Sequence, residues 1–568
     1  TIDGINSVED MYTSVQNAID KVKDEAAANV ILGREAFGVD NTGTTLTGTV
    51  QDNSVFKAKS INVKTLVRPE LISKVDSTSV ALLGGGGSIS KINLNDRTLV
   101  SVADNVKLDG AQVELNSILT TPNVGNYNVD SSVVALTLSG VAIAVNKSIT
   151  ETDTDAKLLV GNIQLTQLSE QQTQATKLTM NSFDGVSLFN EIKGDALGAV
   201  TSGTNKVKAD MQENSVSIWR LVNGDVLDLD ELDLTAGSSS QENLRANGDG
   251  GAFLDISPVA ARIDNRDVNN TYAVLQGANR SLNISGDLNI ETTHSSILDM
   301  LCDSSRATLA GGSGTEVIND VRVNTLTDVK NAMLQVGGKT YIDATGKVNL
   351  NNVDDHDILK TSGIGGLGDM RSSNVESQVL LGNKVNFTDS TLHGEKSIVL
   401  GAYTEGNIHV NDSVQTSGAF GVSESDLKSV VKTDDEVVIS GSQIYTDKEG
   451  QDIFVVAQDE LEGATKGYAE MTASLVGGAR SYVINELERK NVINITGNSK
   501  LHSLRDINLY ANRDEFGVDG RMEWQLRSEL FSGSIFPINL TTEATKLTNT
   551  MNQLNQITAY EYLCCCRS

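Results

Sequence analysis

One short pattern recurs along the chain and limits the folds open to it. In NVKLDGAQVELNS (residues 105–117), apolar residues occupy every second position on both sides of an Asp-Gly pair. The same pattern recurs in SLNISGDLNIETT (281–293), GGKTYIDATGKVNLNN (337–352), LHGEKSIVLGA (392–402) and SKLHSLRDINLYA (499–511). Period-two alternation is typical of half-buried β-strands, and Asp-Gly is typical of a tight turn. The chain is therefore predicted to consist of many short strands.

The spacing of the copies predicts a repeat architecture. The pattern ends at Val63, Leu115, Leu165, Leu234, Ile290, Leu350, Leu400 and Leu509. Most gaps are on the order of 50 to 60 residues, a period typical of a solenoid or a propeller, and a degenerate copy near residues 440–447 divides the one long gap. A second alternating segment precedes the copies, as in residues 84–110 and 311–346. We expect each module to form two or more turns of about 20 to 25 residues each.

Composition favours a β-helix over a propeller. Aromatic residues make up only 4% of the 568 residues, and the chain has 4 Pro against 50 Gly. Propeller blades carry aromatic signatures, whereas a parallel β-helix needs small corner residues and nearly every backbone N–H. We predict an all-β parallel β-helix (β-solenoid) in which Val106, Leu108, Val113 and Leu115 point into the core and the Asp-Gly forms a corner. About 20 turns would give a rod near 100 Å long.

Both ends of the chain depart from this pattern. In residues 7–32 apolar residues fall at helical spacing, and Ser7 with Asp10 resembles a capping box, so the sequence predicts a short amphipathic helix. The predicted divisions are residues 1–49 as this helix and its lead-in, 50–530 as the repetitive shaft, and 531–568 as an insertion-like segment with an irregular end.

Charge and cysteine content bear on partners and location. The formal net charge of −29 disfavours binding to nucleic acid or directly to anionic lipid. Cys302 and the run Cys564–Cys566 do not have the spacing of a disulfide framework. No segment is long and apolar enough to span a bilayer. Because the chain starts at Thr1 without a signal peptide, we expect it to be an excised or mature portion of a longer protein.

Two sequence motifs resemble ligand-binding sites, but their surroundings favour a strand in one case and a polar loop in the other. Gly363, Gly365 and Gly368 match a dinucleotide fingerprint, but period-two alternation follows them where the fingerprint needs a helix, so a strand and no cofactor is predicted. Residues 354–357 (DDHD) contain possible metal ligands within a predicted loop. The five His residues are scattered, so no second cluster completes such a site.

The acidic segment VLDLDELDLT (residues 226–235) is the weak candidate for a metal site. Asp228, Asp230 and Asp233 lie close together in sequence and could bind a divalent cation. Leucines alternate with these acids, which equally fits a strand with one solvated face. Both interpretations remain open at this point.

A catalytic site is not predicted. Some β-helices cleave polysaccharides, which requires paired or cation-flanked carboxylates and aromatic platforms for sugar rings. The two Trp residues, Trp219 and Trp524, are isolated, and no such group of residues is recognisable. We therefore expect a protein that is not an enzyme and has no catalytic residues.

Three segments resemble the filamentous haemagglutinin-like surface adhesins, and among them the leukotoxin-type filamentous adhesins. They are the module GGGGSISKINLNDRTLVSVADNVKLDGAQVELNS (84–117), the passage NVINITGNSKLHSLRDINLYANRDEFGVDGR (491–521) and its sequel FSGSIFPINLTTEATKLTNTMNQLNQI (531–557). The resemblance implies a right-handed parallel β-helical shaft of a large bacterial exoprotein, exported by two-partner secretion.

These observations together lead to an expected function. We expect a non-enzymatic filamentous adhesin segment, secreted or on the bacterial cell surface, whose loops attach to a protein or glycan ligand on cells or matrix. One alternative is a structural subunit of an extracellular filament or envelope layer, formed by end-to-end self-association. A second alternative is a glycan-cleaving β-helix enzyme.

Overall fold

The computed structural model is an all-β stack of parallel strands. It describes residues 28–32, 54–119, 127–165, 175–222, 224–351, 359–537 and 542–557, and these residues contain no helix. A 23-stranded parallel sheet winds through the stack, and a separate three-stranded sheet comprises β2, β6 and β9. The predicted all-β class and parallel solenoid arrangement are confirmed at this level.

The first half of the chain contains β1 Ala28–Leu32, β2 Val55–Lys57, β3 Ser60–Val67, β4 Leu71–Leu94, β5 Arg97–Val102, β6 Lys107–Asp109, β7 Gln112–Leu119, β8 Val129–Val160, β9 Gln164–Leu165, β10 Thr176–Arg220, β11 Leu227–Asn247, β12 Gly250–Gln276 and β13 Ser281–Ile284. The second half contains β14 Leu288–Lys330, β15 Met333–Val336, β16 Thr340–Leu350, β17 Leu359–Thr388, β18 Thr391–Gly394, β19 Ile398–Ser417, β20 Phe420–Ser440, β21 Gln443–Thr446, β22 Ile453–Thr496, β23 Lys500–Ser503, β24 Ile507–Ala511, β25 Met522–Pro537 and β26 Thr542–Ile557.

One column of paired residues runs through the whole stack and relates the repeats to one another. Each member pairs with the next in parallel register, in the order Val63, Leu115, Met180, Leu234, Ile290, Ile342, Leu400, Val455 and Leu509. Most of the predicted pattern ends belong to this column. Leu165 instead pairs with Leu108 in the small sheet, and Leu350 pairs with Ile408 farther along its strand.

Each module is a single turn of the coil, so the expected turn of 20 to 25 residues is wrong. Side chains that hydrogen-bond between neighbouring turns are 52 residues apart for Thr65 and Ser117 and 59 apart for Asn214 and Asp155. Long strands cause the difference, because β10 alone continues for 45 residues where the pattern suggested several short strands. With a strand spacing of ~4.8 Å, the nine turns of the column extend only about 40 Å along the axis.

Each turn is flattened, because the chain runs out along one face and returns along another. Within β10, the Ser182 hydroxyl lies 2.8 Å from that of Ser215. Nearer the bend, the Asn205 amide donates to the Gly194 carbonyl at 2.9 Å. We call these the outbound and return faces, and the bend between them the tip. The strands β13, β15, β18, β21 and β23, with the start of β11, form a third, short face.

Inward side chains form two large apolar cores with polar groups between them. One core lies next to the short face and includes Leu178, Met180 and Trp219, and the other lies farther out between the long faces. Between them, the inward positions of β10 hold Ser182, Asp184, Glu213, Ser215 and Ser217, all buried. We call this set and its equivalents in other turns the polar seam. Its hydroxyls satisfy one another, as the Ser217 hydroxyl does by donating to Ser182 at 2.9 Å.

The recurrent Asp-Gly pattern forms a corner, as predicted. Val106, Leu108, Val113 and Leu115 are all fully buried. The chain passes at Gly110 from β6 in the small sheet to β7 in the large one, so the two halves of the phrase lie on different faces.

A second corner, after the return face, uses left-handed backbone. Its equivalent positions include Asn331 (φ 52°), Asp389 (φ 48°) and Gly441 (φ 60°). The backbone N–H of each corner residue donates to a carbonyl oxygen of the next turn. The acceptor is the residue just before the equivalent corner position, as when Asp389 N donates to Ser440 O at 2.9 Å. Asn, Asp and Gly recur here because they tolerate positive φ better than other residues.

The first and last described segments differ from prediction. Residues 28–32, the last part of the predicted helix, form β1 and pair with β5, so a helix is wrong there. The β-branched residues Val30 and Ile31 favour a strand against the open edge of β5; the rest of the predicted helix lies outside the described residues. At the other end β25 and β26 both pair with β22, so the described residues of the predicted insertion, 531–537 and 542–557, continue the stack.

Candidate binding groove

Outward side chains of the short face form a ladder that runs along the axis. Each short strand places an apolar residue inward and the next residue outward, as with buried Leu334 and exposed Gln335. The outward residues pair in register from turn to turn, in the order Asp228, Asn283, Gln335, His393, Tyr445 and His502. We call this set the short-face ladder. It presents one polar or aromatic group per turn, every ~4.8 Å.

A groove of about 660 Å³ opens beside this ladder. Its lining comes from five successive turns and comprises Ala175, Asp228, Leu229, Asp230, Asn283, Ile284, Ser285, Gln335, Val336, Gly337, His393 and Glu395. The small residues Ser285 and Gly337 occupy the corner after the short face, which leaves room for the groove. An elongated ligand lying parallel to the axis would contact a polar group from every turn.

At the end formed by β11, the carboxylates are held by the following turn. Asn283 Nδ2 donates to Asp228 Oδ1 at 3.1 Å, and the Ser285 hydroxyl donates to Asp230 Oδ1 at 3.1 Å. Both acids are half-buried. Each therefore has a fixed orientation while its second oxygen remains an acceptor for a ligand hydroxyl or a cation.

At the other end of the groove, the lining residue His393 stacks on Tyr445 of the next turn. The rings of His393 and Tyr445 are stacked, with centroids 4.6 Å apart and planes at 28°. His393 Nε2 also lies 2.8 Å from Asp447 Oδ2, and the Lys448 ammonium lies 3.6 Å from Glu395. These contacts hold the imidazole in place and partly compensate the local acid charge. A fixed aromatic surface of this kind can pack against the apolar face of a sugar ring.

The charge of the groove limits its ligands. Three carboxylates line it, from Asp228, Asp230 and Glu395, and the chain as a whole carries a net charge of −29. Phosphate or sulfate groups would be repelled there. Amide, carboxylate and imidazole groups instead suit a neutral, hydroxyl-rich ligand or a cationic one.

The structure brings together only part of the predicted metal candidate. Asp228 and Asp230 both line the groove, but Asp233 does not. The chain turns a corner between Leu229 and Leu232, which are both buried, so Asp233 lies on the outbound face. Burial raises the pKa of Asp233, and the neighbouring Glu231 raises it further. No group of three or more His, Cys, Asp or Glu suited to a metal ion occurs in the described parts of the chain.

The other sequence motifs lie elsewhere. The glycine motif at residues 363–368 lies in β17, so the predicted strand is confirmed. Residues 354–357 and the cysteines at 564–566 lie outside the described residues. Sequence reasoning missed the ladder residues Gln335, His393 and Tyr445. Aligning the modules on the short strands LNI, LQV, LHG and IYT, at residues 282–284, 334–336, 392–394 and 444–446, would have placed them at one position.

The acids of the polar seam do not form a ligand site, because they are enclosed. Burial raises the pKa values of Asp184 and Glu213 well above their ordinary range, and nearby carboxyls raise them further. Both side chains are fully buried between the two cores. Their protonation therefore affects stability and not ligand binding.

Comparisons with known proteins give no relative for this chain. No protein-family model, no curated protein and no solved structure matches it. Within the described residues, no helix has the length and apolar character needed to cross a membrane.

Proposed function

We propose that this chain is a non-enzymatic segment of a bacterial filamentous adhesin, secreted or held at the cell surface. In this proposal the stack is a right-handed coil, the hand adopted by nearly all crossovers between parallel strands. Its turns display the short-face groove for attachment, and the ligand is a neutral, hydroxyl-rich polymer, best matched by a polysaccharide.

The observation that carries this proposal is the continuity of the groove across five turns. A small metabolite would fill a closed pocket, whereas an open groove with polar groups repeating along the axis suits a polymer. The stacked His393 and Tyr445 rings supply an aromatic surface, and Asn283 with Gln335 supplies amide donors and acceptors. The anionic lining argues against acidic polymers as ligands.

Affinity electrophoresis in gels containing dextran, a glucomannan, a xylan or anionic alginate tests the proposal. We expect at least one neutral polysaccharide to retard the protein and alginate not to do so. Gln335→Ala and His393→Ala should each weaken the retardation. Gln525→Ala is the matched control, because Gln525 is also an exposed glutamine but lies on β25 and does not line the groove.

Other outcomes would overturn the proposal. If no neutral polysaccharide retards the protein, or if the groove variants behave like Gln525→Ala, the groove is not an attachment site. Release of reducing ends by the unmodified protein would favour a glycan-cleaving enzyme. Regular end-to-end polymers in negative-stain images, without any polysaccharide binding, would favour a structural filament subunit.

A further inference from the structure

The tips of the turns form an apolar surface along the length of the stack. One column of register-paired residues runs through every tip and contains only apolar residues or glycine. It starts at Leu83 and passes through Val141, Val200, Leu254 and Phe420 to Phe536. Several members are strongly exposed, among them Leu83 at 75% and Phe536 at 65%. We call this surface the tip stripe.

Charged side chains are absent from the exposed part of the stripe. Residues 131–146, 196–205, 307–315, 415–423 and 471–479 contain no Asp, Glu, Lys, Arg or His, although 21% of the chain is Asp, Glu, Lys or Arg. A segment this long without charge, repeated in turn after turn, is unlike the rest of this acidic protein.

The charges within the tip segments of β12, β14 and β17 are buried and paired. Arg306 contacts Asp255 at 3.1 Å, and Arg371 contacts Asp369 at 2.8 Å. All four side chains are at most 1% exposed. These ion pairs hold neighbouring tips in register while their charges stay away from the surface.

Large side chains add to the apolar surface beside the column. Leu82 is 85% exposed, Phe253 68% and Met370 62%. Aromatic residues and Met are enriched at the centres of protein interfaces and depleted from ordinary protein surface. Exposed apolar patches of this size mark interaction sites.

We propose that the tip stripe is a dimer interface, at which two copies of this chain pack side by side, stripe against stripe. The area of the stripe fits a dimer interface. The stack is about 40 Å long, and two sheets ~10 Å apart with their side chains make the tip roughly 20 Å wide, so each copy would bury on the order of 800 Å². That is the area one partner buries in a stable interface of standard size.

Period and charge both favour a second copy over another partner. The stripe repeats at the strand spacing of ~4.8 Å, and a second copy presents apolar side chains with the same period, so the two rows can interdigitate throughout. Elsewhere two bodies of charge −29 repel each other. Contact through the stripe alone removes apolar surface from water without placing acid against acid.

Sedimentation equilibrium over a wide protein concentration range tests the interface. We expect a dimer whose dissociation constant falls as the salt concentration is raised, because salt screens the repulsion between the two acidic bodies outside the stripe. Phe253→Asp and Leu82→Asp should each raise the dissociation constant at least tenfold. Phe516→Asp is the matched control, since Phe516 is 82% exposed but lies in the loop after β24. Circular dichroism verifies that each variant is folded.

Three results would overturn the inference. The first is a monomer at all concentrations and salt conditions. The second is a dimer that Phe516→Asp weakens as much as the stripe variants do. The third is a monomer that co-sediments through the stripe with neutral phosphatidylcholine vesicles, which would assign the stripe to a lipid surface. Polysaccharide retardation is measured separately on the same variants, so the groove and the stripe can fail independently.

Discussion

Replacing Asp328 with Asn should make the stack less sensitive to pH. Asp328 is fully buried on the return face, where Asn386 Nδ2 donates to its Oδ1 at 2.6 Å. Its other oxygen, Oδ2, has no hydrogen-bond partner. Burial raises the pKa of this carboxyl to about 7, against the opposing effects of Asn386 and Lys330. The folded protein therefore binds this proton more tightly than the unfolded chain does.

The sign and size of the effect follow from this difference in pKa. The stability contributed by the proton is fully present below pH ~4 and is lost as the pH rises through about 7. Three pKa units correspond to ~4 kcal/mol, of which roughly 3 kcal/mol is lost between pH 5 and 8. An Asn side chain at this position can still accept the Asn386 hydrogen bond and does not titrate.

Urea unfolding followed by circular dichroism, in steps from pH 5 to pH 8, measures this effect. The free energy of unfolding of Asp328→Asn, relative to the parent, should rise by roughly 3 kcal/mol across the range. Glu449→Gln, at an exposed carboxylate after β21, is the control and should track the parent. A difference between Asp328→Asn and the parent that stays constant from pH 5 to pH 8 would refute the reasoning.

Two further substitutions test the packing of the stack by thermal and urea unfolding. Arg489→Met should lower the free energy of unfolding by roughly 3 to 5 kcal/mol, because the fully buried Asp459 carboxylate loses the guanidinium that pairs with it. Lys347→Met, which removes an exposed ion pair with Glu405, should change the free energy of unfolding by less than ~1 kcal/mol. Equal losses would contradict the assigned burial. Gly441→Ala should cost about 1 to 2 kcal/mol, because φ is +60° and the new Cβ would lie 2.5 Å from a carboxylate oxygen. Gly450→Ala should cost less stability, because Gly450 also has a positive φ but no atom lies within 4 Å of the added Cβ. A larger loss for Gly450→Ala than for Gly441→Ala would show that the corner at Gly441 is misassigned.

The sequence predicted the strand content and the corners because both depend on neighbouring residues. Alternation identified which side chains point inward, as at Leu108 and Val113, and the Asp-Gly pair located the corner between them. It did not identify which residues stack, because pairing joins residues far apart in sequence, 52 positions for Val63 and Leu115 and 65 positions for Leu115 and Met180. A long strand that bends at its tip keeps the same alternation throughout, so β10 resembles several short strands in sequence.

The candidate site was predictable only where its residues are adjacent in sequence. Asp228 and Asp230 were noticed because they lie in one acidic run. The rest of the ladder comprises an amide, an imidazole and a phenol in separate turns, so no local motif marks it. Asp233 was grouped with the other acids because the corner that separates it, between Leu229 and Leu232, lacks the Gly that marks other corners.

The register of one turn on the next determines both the groove and the tip stripe, and disulfide trapping tests it directly. Lys347 and Glu405 are exposed neighbours 58 residues apart on adjacent turns, and their side chains form an ion pair at 2.8 Å. Strands ~4.8 Å apart place their Cα atoms within the range of a disulfide.

The measurement compares two double-cysteine variants in a background with Cys302→Ala and serine at residues 564–566. Mild oxidation should link Lys347→Cys to Glu405→Cys, detected as a linked peptide by mass spectrometry. Lys347→Cys with Met370→Cys, the pair that a turn of 20 to 25 residues would bring together, should stay unlinked. A disulfide in the second variant and none in the first would contradict the stack described above.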